Sequence, residues 1–176
     1  MRLLLVRHPR PEVDPGICYG RSDVAVSLDE LLRVRATLPS QLPTWSSPLQ
    51  RCASLARVLN PPQLRFDARL AEMDFGAWEL RSWDDIARIE VDAWAADLLH
   101  YRPGGGESVL DVARRVAAFL DDLYKEDHAE VLVVCHAGTI RLLRALHAGL
   151  PLEAAALEAA RTPHRIAYGE ILALDD

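Results

Sequence analysis

Four side chains have the chemistry to receive a phosphate dianion: Arg7, His8, Arg51 and His136. Guanidinium groups hold such an anion through charge-assisted hydrogen bonds, and imidazoles can add further N–H donors. Singly they mean little: a histidine after a strand is ordinarily a hydrogen-bonded structural residue, and an arginine in a helix is ordinarily solvated. Their placement carries more weight. His8, Arg51 and His136 each closely follow a stretch that reads as a strand. Parallel neighbours would bring them to one rim, beyond the carboxyl ends of the strands, where ligands of open α/β sheets bind.

The elements that must position them follow from pattern. Residues 3–6 are continuously apolar and are closed off by Pro9 and Pro11, as in a strand buried on both faces. Residues 9–26 form a loop rich in proline, glycine and charge, long enough to suggest a functional loop. Ser27-Leu28-Asp29-Glu30 has capping-box form and opens a helix expected to end before Pro39. A short strand is expected at 44–47, then Ser47 as N-cap and Pro48 as first residue of a helix reaching about Asn60. Leu49, Cys52, Ala56 and Leu59 form its core stripe, and Arg51 lies off it.

Short extended pieces are expected at 64–66 and 70–73, helix in two pieces over 82–100, and a flexible loop at Pro103-Gly104-Gly105-Gly106. The longest helix is expected at 108–126, with Val109, Val112, Val116, Phe119 and Leu123 facing the core. Val131–Cys135 reads as a second buried strand, leading through His136-Ala137-Gly138-Thr139 into a helix that ends at Gly149. A helix over 152–160 and a strand over 165–174 close the chain. The fold class is α/β: one domain, 1–176, with a mostly parallel central sheet flanked by helices on both faces. Helices starting near Pro48 and Gly138 would aim free N–H groups at the shared rim, a favourable setting for an anion.

Composition narrows the partners. The 176 residues are 50% hydrophobic and 26% charged, with a net charge of −6. That argues against nucleic acid and anionic membrane surfaces, while leaving room for a small anionic substrate where positive charge is gathered. Cys18, Cys52 and Cys135 lack metal-ligand spacing and read as free thiols of a reducing compartment. No segment approaches the roughly 20 apolar residues of a membrane span, and the first apolar run is too short for a signal peptide. The expectation is a cytoplasmic protein.

Five ordered motifs carry a resemblance: Arg7-His8-Pro9, Ser46-Ser47-Pro48-Leu49-Gln50-Arg51, Leu70-Ala71-Glu72-Met73-Asp74-Phe75-Gly76-Ala77-Trp78-Glu79, Gly105-Gly106-Glu107-Ser108 and Cys135-His136-Ala137-Gly138. Together they resemble the histidine phosphatase (phosphoglycerate-mutase-like) superfamily from residue 2 to about 145. The resemblance implies a phosphohistidine on His8, phosphoryl oxygens held by Arg7, Arg51 and His136, and Glu72 as proton donor and acceptor. It implies no metal or other cofactor. Arg7 and Arg51 should keep His8 neutral, whereas His136, facing a dianion, could stay protonated; which nitrogen of His8 attacks is not legible. Asp74 and Glu79 are rival acids, Phe75, Trp78 and Leu80 read as packing, and His100, His128 and His147 as structural or solvated. His164, just before the final strand, reads mainly as structural, with contact to substrate as the alternative.

The segment around Gly16–Asp23 is similar to α-ribazole phosphatases, which remove the 5′-phosphate of α-ribazole 5′-phosphate or of the corresponding cobalamin phosphate. Asp14, Tyr19, Gly20, Arg21 and Ala137 are the substrate-side candidates; for Asp14, pairing with Arg10 or Arg21 is the alternative. Other readings are a broad-specificity phosphatase, a phosphoglycerate mutase, and a phosphate-binding domain without catalysis. Residues 135–141 also fit Cys-x-x-Gly-x-x-Arg, the phosphate loop of cysteine-dependent phosphatases, with Cys135 and Arg141 as the working pair.

Overall fold

A computed structural model describes residues 1–175. Its strands are β1 (Arg2–Arg7), β2 (Thr44–Ser46), β3 (Leu64–Phe66), β4 (Glu130–Cys135) and β5 (Ile171–Leu174). The helices are α1 (Leu28–Arg35), α2 (Gln50–Leu59), α3 (Arg88–Ala96), α4 (Val109–Leu123), α5 (Ala137–His147) and α6 (Leu152–Arg161). Strand order is β3-β2-β4-β1-β5, parallel except for β5, which pairs antiparallel with β1. The expected α/β class is therefore found, as a single sheet covered on both faces.

Successive residues of a strand point to opposite faces. Leu3, Leu5, Val131 and Val133 meet α4, α5 and α6 on one side, while Leu4, Val6, Leu132 and Val134 meet α1 and α2 on the other. This is why neither strand alternates with polar residues: each face is a core. The α4 stripe predicted from spacing is buried throughout. That helix opens with a reciprocal capping box between Ser108 and Asp111. Among the described residues no helix is long and apolar enough to cross a membrane.

Several local expectations are corrected. The stretch 70–73 is not a strand: a short 3-10 turn covers Ala68–Leu70, and the carbonyls of Arg69, Ala71 and Glu72 accept from Arg115 instead of a neighbouring strand. The Pro103–Gly106 loop is pinned in place. Gly104, at φ +60°, lies so close to the Gly76 turn that a Cβ there would sit 2.2 Å from the Phe75 carbonyl oxygen. Such contact at positive φ admits only glycine. Leu80, expected to pack, is 59% exposed. The final strand is shorter than expected, because a turn at Ala167–Glu170, with Gly169 at positive φ, interrupts the extended run. Ile166, Gly169 and Glu170 instead bond to Arg7 at the carboxyl end of β1.

Candidate active site

The register of the sheet aligns three strand ends. Arg7 pairs with Cys135 and Ser46 with Val134; beyond them the His8 N–H donates to Cys135 and the Ser47 N–H to Val134. Chains leave this rim toward opposite faces, α5 from β4 and α2 from β2, which opens a crevice of the kind that binds ligands in α/β sheets. A cavity of about 440 Å³ lies there, and Arg7, His8, Arg51, Glu72, Ala137 and Tyr19 contribute to its wall.

His8 is 3% exposed. Its Nδ1 lies 2.7 Å from the Pro9 carbonyl oxygen. A carbonyl can only accept, so Nδ1 carries the proton and Nε2 keeps its lone pair. Behind it stands the ring of His136, fully buried, 5.2 Å away between centroids. Its Nε2 lies 2.9 Å from Ser47 Oγ.

Arg51 is fully buried although it lies off the apolar stripe. Its guanidinium donates to the Ser22 carbonyl at 2.7 Å and to that of Gly20. That loop is in turn held by Glu79, whose carboxylate accepts from the N–H groups of Gly20, Arg21, Ser22 and Phe75. Glu79 is thus a loop anchor and not an acid facing the cavity, and Asp74 is likewise occupied, capping the Gly76 N–H. Arg7 donates to Ile166 O at 2.5 Å, and its guanidinium carbon sits 3.9 Å from the centroid of the Tyr168 ring. Tyr168 also meets Tyr19, hydroxyl to hydroxyl, at 3.0 Å. The Nε atoms of Arg7 and Arg51 are buried without a partner.

Glu72 accepts from the Met73 N–H at 3.0 Å and from the Gly138 N–H, at the start of α5, at 3.2 Å. Gly138 leaves no room for a side chain: a Cβ there would lie 2.5 Å from a Glu72 carboxylate oxygen. From behind, Arg115 grips the carbonyls of residues 69, 71 and 72 while paired with Glu107. Arg115 and Tyr168 escaped sequence reasoning. An arginine off the apolar face of α4, and a tyrosine beside a glycine turn, carry no local signal of what they touch.

Other candidates lie elsewhere. Asp14 is exposed, outside the cavity wall, and pairs with neither Arg10 nor Arg21. Arg21 is exposed, and Gly20 contributes only backbone groups that hold Arg51. The loop must present its carbonyls inward to the Arg51 guanidinium, which leaves the Arg21 side chain outside. Helix α2 begins at Gln50, two residues later than expected, because Ser47 still follows the strand ladder; its first N–H donates to Asp23 at 2.7 Å and does not serve the cavity. Cys135 is fully buried at the end of β4, away from the cavity wall, and burial drives its thiol pKa well above the ordinary range. A thiolate nucleophile there is excluded on those grounds. His164 does line the cavity.

The family model for the histidine phosphatase superfamily (branch 1) matches residues 3–164. The chain belongs to this superfamily. The phosphatase is 30% identical over 168 residues to the adenosylcobalamin/alpha-ribazole phosphatase of Escherichia coli K12, covering 88% of this chain and 82% of that protein. It is 29% identical to a Hydrogenobacter thermophilus protein named as a candidate phosphoserine phosphatase, covering 86% of this chain and 81% of the relative. The crystal structure of the alpha-ribazole phosphatase from Shigella flexneri superposes with a TM-score of 0.83 at 27% identity, covering 99% of this chain and 90% of that one.

Electrostatics set the protonation states of this phosphatase. Burial, then Arg51 and Arg7, bring the His8 pKa down to about 3, against a raising contribution from Pro9. Burial, Arg51 and His8 push His136 well below the usual imidazole range. With no dianion in the cavity, the imidazolium of His136 is the costly form in this positive, desolvated setting. A stability prediction follows from the sign of the shift. The unfolded chain binds a proton at His8 near the ordinary 6.5 and the folded chain only near 3. The stabilisation is full above pH 6.5 and is lost as pH falls toward 3, at up to about 1.4 kcal/mol per pH unit for each such histidine. Urea midpoints at pH 7, 6 and 5 should fall steadily. In a His8→Gln variant that slope should be shallower by about one histidine's share.

Proposed function

We propose that this phosphatase hydrolyses phosphomonoesters through a phosphohistidine on His8 and that its substrate is α-ribazole 5′-phosphate, free or as part of cobalamin 5′-phosphate. Nε2 of His8 attacks phosphorus while the bond to the leaving oxygen breaks. Glu72, in its acid form, protonates that oxygen. In the second half, Glu72 takes a proton from water, the resulting hydroxide attacks phosphorus, and His8 leaves neutral with inorganic phosphate as product. Charge in the transition state spreads over the phosphoryl oxygens. Arg7, Arg51 and the N-terminal turn of α5, which line the cavity, supply the positive charge and N–H dipoles for them. His136 supports the nucleophile from behind, as a neutral ring.

One observation carries the substrate reading: besides the polar groups of His8, Arg7, Arg51 and Glu72, the cavity is lined by the mutually packed aromatic rings of Phe75, Trp83 and Trp94. A flat apolar base joined through ribose to the phosphate matches such a wall, in keeping with the names of the Escherichia coli relative and the Shigella flexneri structure. Steady-state kinetics on a panel of phosphomonoesters is the test. The expected kcat/KM for α-ribazole 5′-phosphate exceeds that for p-nitrophenyl phosphate, phosphoserine and 3-phosphoglycerate by about tenfold or more, the usual worth of a well-filled pocket. Equal values across the panel would remove this substrate and leave a broad-specificity enzyme.

A further inference from the structure

The two arginines assigned to the phosphoryl group are held in the same way. Among the described residues both guanidinium groups bond to backbone carbonyls and neither pairs with a carboxylate. Arg7 donates to the Ile166 carbonyl, and two residues further along the ring of Tyr168 lies 3.9 Å from its guanidinium carbon. Arg51 donates to the carbonyls of Gly20 and Ser22, and the ring of Tyr19 lies 5.2 Å from its guanidinium carbon. Each cation is thus gripped by one short segment, through backbone oxygen and aromatic ring together.

These two segments come from opposite ends of the chain and meet where the hydroxyls of Tyr19 and Tyr168 lie 3.0 Å apart. Both tyrosines line the cavity, and the Tyr168 ring is 5.6 Å from that of His8 between centroids. A continuous path therefore runs from Arg7 through Tyr168 and Tyr19 to Arg51. Burial, then the Tyr168 hydroxyl, raises the Tyr19 phenol pKa, so this link keeps its neutral form.

Tyrosine suits the task for a physical reason. Two guanidinium groups that serve one dianion repel each other until it arrives. Carboxylates would quiet that repulsion but would also compete with the phosphate. Carbonyl dipoles and the negative faces of aromatic rings offset the charge without neutralising it.

We infer that Tyr19 and Tyr168 are positioning residues: their hydroxyl contact ties the two segments together and so fixes the Arg7 and Arg51 guanidinium groups before the phosphoryl group binds. Such preorganisation spares the site a rearrangement at the moment of reaction. It deepens the proposed function and rests on the cavity's being a phosphate site, though not on the leaving group or on the phosphohistidine.

The test is a double-mutant cycle, read by calorimetric titration of inorganic phosphate into the wild-type protein, Tyr19→Phe, Tyr168→Phe and the double variant. Phenylalanine keeps both rings and deletes the link. The phosphate Kd is expected to rise about fivefold in either single variant, the worth of one hydrogen bond. In the double variant it should rise by about that same factor and not by its square, because one contact is lost in all three. The kcat/KM for p-nitrophenyl phosphate should fall in parallel. Tyr168→Leu, which also takes the ring from Arg7, should weaken phosphate binding further than Tyr168→Phe. Unchanged phosphate affinity in either single Phe variant overturns the inference, whether or not the Tm falls. Losses that multiply in the double variant also overturn it, since the tyrosines would then act independently. Binding is measured without turnover, so a protein that holds phosphate but hydrolyses no ester would end the phosphatase reading while the cycle still decides the role of the tyrosine pair.

Discussion

Replacing His8 by alanine is expected to lower kcat on the order of 10⁴-fold or more, the scale seen when an enzyme loses its covalent nucleophile. The geometry leaves no substitute. His136 is fully buried behind His8, with its Nε2 on Ser47, and His164 lines the cavity from the loop after α6 rather than from a strand end. Rapid-quench measurement on wild-type enzyme should show a product burst and an acid-labile phosphoprotein, and both should be missing from the variant. The Cys135→Ser variant provides the opposite control. Cys135 lies wholly inside the sheet, where burial disfavours the thiolate. Turnover should survive that change within a fewfold, since the hydroxyl replaces a thiol that touches no substrate. If the serine variant is dead and the alanine variant active, the phosphohistidine reading is wrong. A phosphate-binding domain without catalysis would give neither burst nor phosphoprotein.

What could be read in the sequence follows the range of the interactions involved. The apolar run at Leu3–Val6 announced a doubly buried strand because its burial is dictated by the sheet's two faces, a property of successive residues. The α4 stripe and the Ser27 cap were legible for the same reason. His8, Arg51, Glu72 and His136 could be placed because the motifs sit next to punctuation, strand ends and helix starts, whose location is local. Failures came where a side chain is held from far along the chain. By their place in the loop Gly20 and Arg21 read as substrate contacts, yet Glu79 and Arg51, distant in sequence, turn that loop's backbone to a structural purpose. Asp14 looked like a rim carboxylate only because it lies in the same loop. The grip of Arg115 on the Glu72 backbone, and of Tyr168 on Arg7, depends on tertiary packing that no spacing rule encodes. The last strand is shorter than its apolar pattern suggests because the turn that brings Tyr168 to the site is held by the distant Arg7 backbone, through its bonds to Gly169 and Glu170.

Glu72→Gln carries the second large effect and separates proton transfer from phosphoryl binding. Glutamine keeps the length of the side chain, and its amide oxygen can still accept from the Gly138 or Met73 N–H, so the fold of the 69–74 segment and its clamp by Arg115 should persist. The lost property is the proton. General acid–base catalysis contributes roughly 10²–10⁴-fold, and kcat for α-ribazole 5′-phosphate, whose leaving group is an alkoxide unless protonated, should fall by that amount. With p-nitrophenyl phosphate the leaving phenolate needs little help, so formation of the phosphoenzyme should suffer far less. Dephosphorylation still requires a base to activate water, so the phosphohistidine should accumulate and the steady state should slow after an almost normal burst. An equal loss in burst rate and turnover for both substrates would move Glu72 from proton transfer to orientation of the α5 N-terminus. In that outcome the neutral side chain of the variant would have disturbed the Gly138 contact itself, and the acid would have to be sought among groups that line the same cavity.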